Sequence, residues 1–498
     1  MLDEKKLRRY AKRLPPPAPW LPLAGGLVLA ALFVLALVLR LHHLGDALPR
    51  DGDEGVYWQT LRAMSRGDAL YRDVFLSQPP FFMTGLHFFY ALGGETLWAA
   101  RLGVAIFSLA GIIGAFLLGR SLAGWRGATL AVALAALDPI YLAASQSLQA
   151  EAPQLGLSLL AVGAAYGCAE THNTALRVAA AALCGCALAL SILVKLFGLA
   201  ALVPVGLLLV MKLSIRASRA DMVPRAIIGF AVFIATMAAV LLPFRESLSA
   251  MWQDAITFHL IAASVFAPQP DMTLMAVARF LVYSGTAYVA ALGLAVAVSR
   301  WDWRAVPLIG WLLATLFLLW RQTPFFPHHL AALIPPLLGL GAFAAMMRRP
   351  VWCGRGAAAA LGLLGVAALD FVQLHAYEAE QAALDATESA AIASVAAEIR
   401  GTIKSDRRLI TDAPFIAALA NRDPLPAMVD LSQVRLRSHS LTSSDLIHAA
   451  QEPNVQAVLF DSEANILAAQ ADFYAWVSQH YRLVRRFAPG RHELWLKG

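Results

Sequence analysis

Long apolar runs alternate with short polar loops along most of the chain. After a basic and then Pro-rich lead, MLDEKKLRRYAKRLPPPAPW, an apolar run extends from Leu21 to Leu41. Further runs follow near 97–119, 126–146, 152–169, 178–194, 196–211, 226–243, 275–298, 305–320, 329–346 and 356–372. Each approaches the length a helix needs to cross a hydrocarbon core, so the pattern predicts about eleven transmembrane helices. No small-residue cleavage site follows the first run, which reads as a first span with the N-terminus inside. The paired runs around Lys195 read either as two spans or as one bent hairpin.

The basic residues test this topology. With the N-terminus inside, the loops expected inside carry Arg120 and Arg126, Arg177, Lys212, Arg216, Arg219, Arg225, Arg300, Arg304, Arg348, Arg349 and Arg355. That is the bias that retains loops in the cytoplasm. An odd number of spans then places the C-terminal region outside. Residues 1–375 form the expected membrane domain. Three segments fall on the far side: 42–95, 244–273 and 376–498. In the last of these the composition turns ordinary. The Ala-rich stretch Glu378 to Ile399, DLIHAAQ and ILAAQADFYAWVSQH read as helices, and RLITD, QAVLFD and RRFAPGRHELWLKG read as strands. Alternation of the two kinds predicts a small soluble α/β domain.

Composition agrees. The 498 residues are 59% hydrophobic and 15% charged, against about 25% charged in a soluble domain. That excludes a cytosolic enzyme, a disordered chain and a disulfide-stapled module, and leaves a polytopic α-helical membrane protein with soluble mass attached. The net charge of +7 is explained by the loops, so no nucleic-acid partner is expected. Of the four cysteines, Cys168, Cys184 and Cys186 lie in apolar runs and Cys353 in a basic loop. None has the spacing of a zinc site or a disulfide framework.

The first outer loop carries the sharpest chemistry. Asp51, Asp53 and Glu54 precede a stripe of Tyr57, Leu61 and Met64 at helical spacing. This predicts a helix lying flat at the membrane surface. A second short helix is expected from Pro79 to Leu92, closed by Gly93 and Gly94. Asp53 then reads in two ways. It is an N-cap with Glu54 favouring the helix dipole, or it is a partly desolvated base that takes a proton from an attacking hydroxyl. The pair can also hold a divalent metal, although a calcium loop is excluded: the required glycine falls at Val56 and the terminal acid at Arg62.

Other candidates lie at expected outer edges. Lys195 sits in an apolar stretch, where an ionisable group either is functional or snorkels to the interface. Arg321, His328 and His329 either bind phosphate or anchor helix ends. Arg101, Arg245, Tyr57 and Gln78 are candidate donor or acceptor contacts. Glu151 either positions the acceptor or pairs with a cation. Asp138, before Pro139, marks a buried pair or a kink, and Trp252, His259 and Asp271 offer a surface for sugar.

The order of apolar span, D-E-x-x-Y, interfacial helix and Q-P-P-F-F resembles the GT-C glycosyltransferases of family 39. These include dolichyl-phosphate-mannose–protein mannosyltransferases and aminoarabinose transferases. LQAEAPQ with Glu151, SILVKLFGL with Lys195, and RQTPFFPHHLAALIPPLLGL with His328, His329, Pro335 and Pro336 follow in the expected order. The resemblance implies a GT-C-like fold and an inverting transferase in the plasma (inner) membrane, with its C-terminal domain extracytoplasmic. Such an enzyme moves a hexosyl or pentosyl unit from a polyprenyl-phosphate carrier to a hydroxyl of a protein, lipid or glycan. Asp53 would be the base, with Glu54 beside it, and Lys195 and the Arg/His cluster would hold the donor phosphate. The aminoarabinose enzymes have E-K-P-P where this chain has Ser77-Gln78-Pro79-Pro80, so another cation must replace that lysine. The competing class is a transporter or lipid flippase with an outward soluble domain, for which inverted repeats are the expected sign; none is visible.

Overall fold

The computed structural model describes residues 20–46, 48–347, 390–461, 466–487 and 492–498. The expected span at 356–372, the boundary at 375/376 and the start of the Ala-rich helix lie outside these residues.

Among the described residues six helices are long and apolar enough to cross a membrane, or seven if one bent pair is counted as a span. The expected count of eleven is not confirmed: one expected run lies outside the described residues, and several others are joined, bent or broken. The helical stretch Leu97–Leu137 contains two expected runs. Its backbone leaves helical geometry at Ala123 and at Gly124, where φ is +64°. A Cβ on Gly119 would run into the Gly127 carbonyl, an approach impossible eight residues along one straight helix, whose rise there is about 12 Å. The chain therefore reverses, and Gly124 takes the left-handed conformation that a side chain resists. The run 275–298 divides at Ser284, which caps the helix Gly285–Ser299 by accepting the Ala287 amide hydrogen at 3.2 Å. Trp20–Leu41 is helical over 22 residues, and Ala305–Arg321 forms an apolar helix of 17 residues. Leu248–Val265 and Pro270–Tyr283 meet at 110°.

Asp138 does act at a kink. It caps the helix Pro139–Gln146 through the Tyr141 amide (2.9 Å) and accepts from the Thr286 hydroxyl (2.6 Å). Lys195 marks another break. The helix Thr174–Val194 ends there in extended backbone, and a 3-10 turn, Leu196–Ala201, leads into Leu202–Ser214. The turn frees Lys195 from the apolar helix and leaves its side chain beside Glu151.

In the first outer loop the helices Glu54–Ser65 and Pro80–Leu92 form as their cap and stripe signals predict. The first does not rest on one apolar face, however: Gly55, Trp58, Gln59 and Arg62 are buried as well as Tyr57 and Leu61. The C-terminal domain covers that second face. Its sheet has the order β2-β1-β3-β5-β4, with β1 (Arg408–Thr411), β2 (Asp423–Pro424), β3 (Val455–Asp461), β4 (Tyr481–Phe487) and β5 (His492–Lys497). β1 runs parallel to β2 and β3, and β5 runs antiparallel to β3 and β4. The final segment read as one strand is thus two. Separate apolar clusters gather Val458 and Phe473, and Leu459 and Ile399. Gln59 donates to the carbonyls of Pro414 (3.2 Å) and Arg422 (2.9 Å), and Arg62 pairs with Asp423 at 2.7 Å. Trp58 meets Phe415 edge to face, with ring centroids 5.4 Å apart.

Candidate active site

A cavity of about 1510 Å³ opens between the loop that follows the first helix, the ends of the apolar helices on the same side and the C-terminal domain. Asp51, Asp53, Tyr57, Gln78, Lys195, His328 and His329 line it. Residues far apart in sequence meet here because helices break at this level. Lys195 ends one helix, His328 and His329 open the turn Pro327–Leu333, and Glu151 opens the helix Glu151–Glu170.

Asp53 occupies the N-cap position of the loop helix, yet its side chain makes no cap hydrogen bond. Instead the carboxylate is exposed to the cavity. The protein around that cavity lowers the local polarity, so desolvation acts on the group despite its access to water. Burial and the neighbouring Asp51 charge push its carboxyl up to about 7, against the pull of His328. Asp51 goes the other way. Burial raises it, but hydrogen bonds with His328, the Asp53 amide and Gln149 outweigh that and hold it below the usual range. Two carboxylates close together are thereby driven apart in proton affinity, which is the usual sign of an assigned base. The Tyr57 phenol, buried beside both, is held well above its ordinary range.

Lys195 pairs with Glu151, and the same Glu151 oxygen lies 3.6 Å from His328 Nε2. His328 Nδ1 is 3.4 Å from Asp51. His329 stacks on Phe197, ring centroids 5.4 Å apart. Lys195 and the two imidazoles thus form a cationic and donor-rich patch facing Asp51 and Asp53. Glu151, His328 and His329 also bring one ligand atom each within 4.8 Å of one another, a set able to hold a metal ion.

The structure places Glu54 elsewhere. It is fully buried, and Arg101 donates to both of its oxygens at 2.8 Å. The amides of Leu148 (2.7 Å) and Arg50 (2.8 Å) complete its coordination. Neither Glu54 nor Arg101 lines the cavity, and Glu54 has no oxygen left to share a metal with Asp53. Arg245 lies exposed beside Glu246 (3.6 Å), and Arg321 is exposed; neither lines the cavity. Trp252 and Asp271 are exposed away from it too, whereas His259 lines it and donates to the Ser77 carbonyl at 2.8 Å. Sequence reasoning did not single out the C-terminal contribution. Asp412, Asp430, Gln433 and Arg437 also line the cavity, and no local pattern around them marks it.

Apolar helices converge on an acidic loop beneath a docked sheet domain, and that fold is shared with solved GT-C membrane glycosyltransferases. Residues 77–242, about a third of the chain, match the family described as dolichyl-phosphate-mannose-protein mannosyltransferase. The matched stretch contains Glu151 and Lys195. Over 94% of this chain and 97% of the other, the fold is similar to apo ArnT from Cupriavidus metallidurans, with a TM-score of 0.67 at 15% identity. ArnT bound to undecaprenyl phosphate gives a TM-score of 0.64 at 16% identity over the same shares. The oligosaccharyltransferase AglB from Archaeoglobus fulgidus, in complex with an inhibitory peptide and a dolichol-phosphate, gives 0.61 at 13% identity over 97% of this chain and 75% of that one. None of the curated proteins matches the sequence. The resemblance to GT-C glycosyltransferases holds, and the transporter or flippase reading gives way to it.

Proposed function

We propose that this integral membrane protein transfers a hexosyl or pentosyl unit from a polyprenyl-phosphate carrier to a hydroxyl on a protein, lipid or glycan, on the extracytoplasmic face. The N-terminus is then cytoplasmic and the C-terminal domain outside. One observation carries this reading: Asp53, with its carboxyl near neutrality, opens onto the same cavity as Lys195 and His328. A base with a pKa close to the operating pH combines adequate basicity with the right protonation state.

In this reading the donor phosphate meets Lys195 and His328, the cation that replaces the lysine missing at Gln78. Asp53 takes the proton from the acceptor hydroxyl as the oxygen attacks the anomeric carbon. The bond from that carbon to the phosphate oxygen breaks, the configuration inverts, and the carrier phosphate leaves with the bonding pair. Charge on the departing phosphate is stabilised by fixed cations, as preorganised groups do elsewhere. Glu54 and Arg101 hold the loop rather than the substrate. Support comes from the fold, from the match over 77–242 and from the carriers bound by the two related proteins.

The test is transfer from radiolabelled polyprenyl-phosphate sugars by purified protein. Asp53→Asn should fold normally and lose at least a hundredfold in rate, within the range general-base catalysis contributes. Full activity in that variant removes Asp53 from the role.

A further inference from the structure

Asp430 reaches the cavity from the C-terminal domain. It stands just before the short helix Gln433–Arg437, and 8% of its surface is exposed. Its Oδ1 accepts the Ser432 amide hydrogen at 2.8 Å, and among the described residues no hydrogen bond is made to Oδ2. Most of the residue is buried, and Oδ2 is the part of the carboxylate left free at the cavity wall, placed to accept from something that comes and goes.

Its position is fixed from two sides. Arg435 donates to the Asp430 carbonyl (2.7 Å) and the Ala427 carbonyl (3.1 Å). The same guanidinium lies over the Phe75 ring, 4.1 Å from its centroid, in the membrane domain's first outer loop. Arg437, further along, lies over Phe266 at 4.4 Å. The segment from 430 to 437 is therefore clamped to the membrane domain by two arginine–aromatic contacts, and its Asp430, Gln433 and Arg437 line the same cavity as Asp53 and Lys195.

We propose that the C-terminal domain completes the active site, with Asp430 acting as a hydrogen-bond acceptor for a hydroxyl of the donor sugar. This rests on the transferase reading above. With the phosphate at Lys195 and the anomeric carbon within reach of Asp53, the sugar ring occupies the same cavity that Asp430 lines, and Asp430 is close enough to Asp53 for the two charges to act on each other. A carboxylate suits a polyol because it accepts strongly and donates nothing, so it selects for a hydroxyl at one ring position. Asp430 touches no atom that changes bonding; it selects and orients.

The experiment uses full-length protein, a radiolabelled polyprenyl-phosphate hexose, and a series of the same donor lacking one ring hydroxyl at a time. Wild-type protein should discriminate against one deoxy donor in particular. Asp430→Asn should raise KM for the parent donor about tenfold to a hundredfold, the worth of one charged hydrogen bond, with kcat little changed. It should also treat that one deoxy donor and the parent alike, and Asp430→Glu should recover part of the discrimination. Equal losses on every donor, or an unchanged KM in an active protein, overturn the proposal. Asp53→Asn separates the two readings. If wild-type protein transfers and Asp53→Asn does not, the transferase reading stands even where the Asp430 variants behave as wild type.

Discussion

Glu54 and Arg101 form a two-point ion pair in which neither side chain retains exposed surface. Such a pair fixes the entry of the loop helix, because Arg101 also holds the carbonyls of Leu44 (3.2 Å), Asp46 (2.6 Å) and Leu48 (2.6 Å). Removing one partner strands the other charge. Glu54→Gln should destabilise the fold by about 3–5 kcal/mol, read as a lower unfolding midpoint in detergent. The double variant Glu54→Gln/Arg101→Met should recover little, because it leaves the Leu44, Asp46 and Leu48 carbonyls without their donor. Transfer rate per folded molecule should change little in either, and a selective collapse of rate in a stable Glu54→Gln protein would give Glu54 a chemical role.

This pair also shows how far the sequence could be read. The acidic doublet stood out as a candidate, and the two loop helices were legible from proline, glycine and a period of three to four. But adjacent helical positions point about 100° apart, and nothing in the string D-E says which carboxylate turns inward. The structure turns Asp53 to the cavity and Glu54 to Arg101, 47 residues away. Lys195 was legible as a charge in an apolar stretch, and Glu151 as an acceptor contact or the partner of some cation. Their pairing was not, because it depends on a helix ending at Lys195. Hydropathy likewise cannot see a break such as Ser284, a small residue inside an apolar run. Asp430 was invisible altogether: its function comes from how a soluble domain docks, which leaves no mark on its neighbours in the chain.

Asp53 sets the pH dependence. Only its deprotonated form can take a proton, so with its carboxyl near 7 kcat/KM should fall about tenfold per unit as pH drops below that value. A profile flat down to pH 5 would place the essential base elsewhere. Stability carries the opposite sign. The folded pKa lies above the unfolded value of about 3.9, so the folded state gains from the proton and loses stability as pH rises from about 4 to 7. Asp53→Asn should therefore unfold at a higher temperature than wild type at pH 8, with the difference vanishing near pH 4.

Lys195 should show itself in donor binding. Lys195→Ala should raise KM for a polyprenyl-phosphate sugar about tenfold to a hundredfold, as for one charged hydrogen bond lost. The single change also leaves Glu151 without its cation, so Lys195→Ala/Glu151→Gln is the better comparison; an unchanged KM in that double variant removes Lys195 from the phosphate. Metal is expected to be dispensable, since the Lys195 ammonium already pairs with the Glu151 oxygen that would serve as a ligand. EDTA should leave wild-type turnover unchanged, and a loss restored by added Mn²⁺ or Zn²⁺ would show that an ion takes the place of the ammonium.

Gly55 tests whether the docked domain matters to catalysis at all. A Cβ at this position would run into the backbone nitrogen of Phe415, and backbone in a packed helix cannot swing aside as a flexible side chain can. Gly55 also precedes Trp58, Gln59 and Arg62, whose contacts hold the sheet domain, so a larger residue levers that interface open at one end. Gly55→Leu should cost about 1–3 kcal/mol at the interface, as for an overpacked core, while leaving the membrane helices intact. Amide hydrogen exchange over residues 414–424 should speed up, and transfer should fall mainly through a higher donor KM, as Asp430 is carried away with its domain. If exchange speeds up but KM holds, the sheet domain is a lid without a part in donor binding. If neither moves, the backbone at Phe415 yields more easily than its packing indicates.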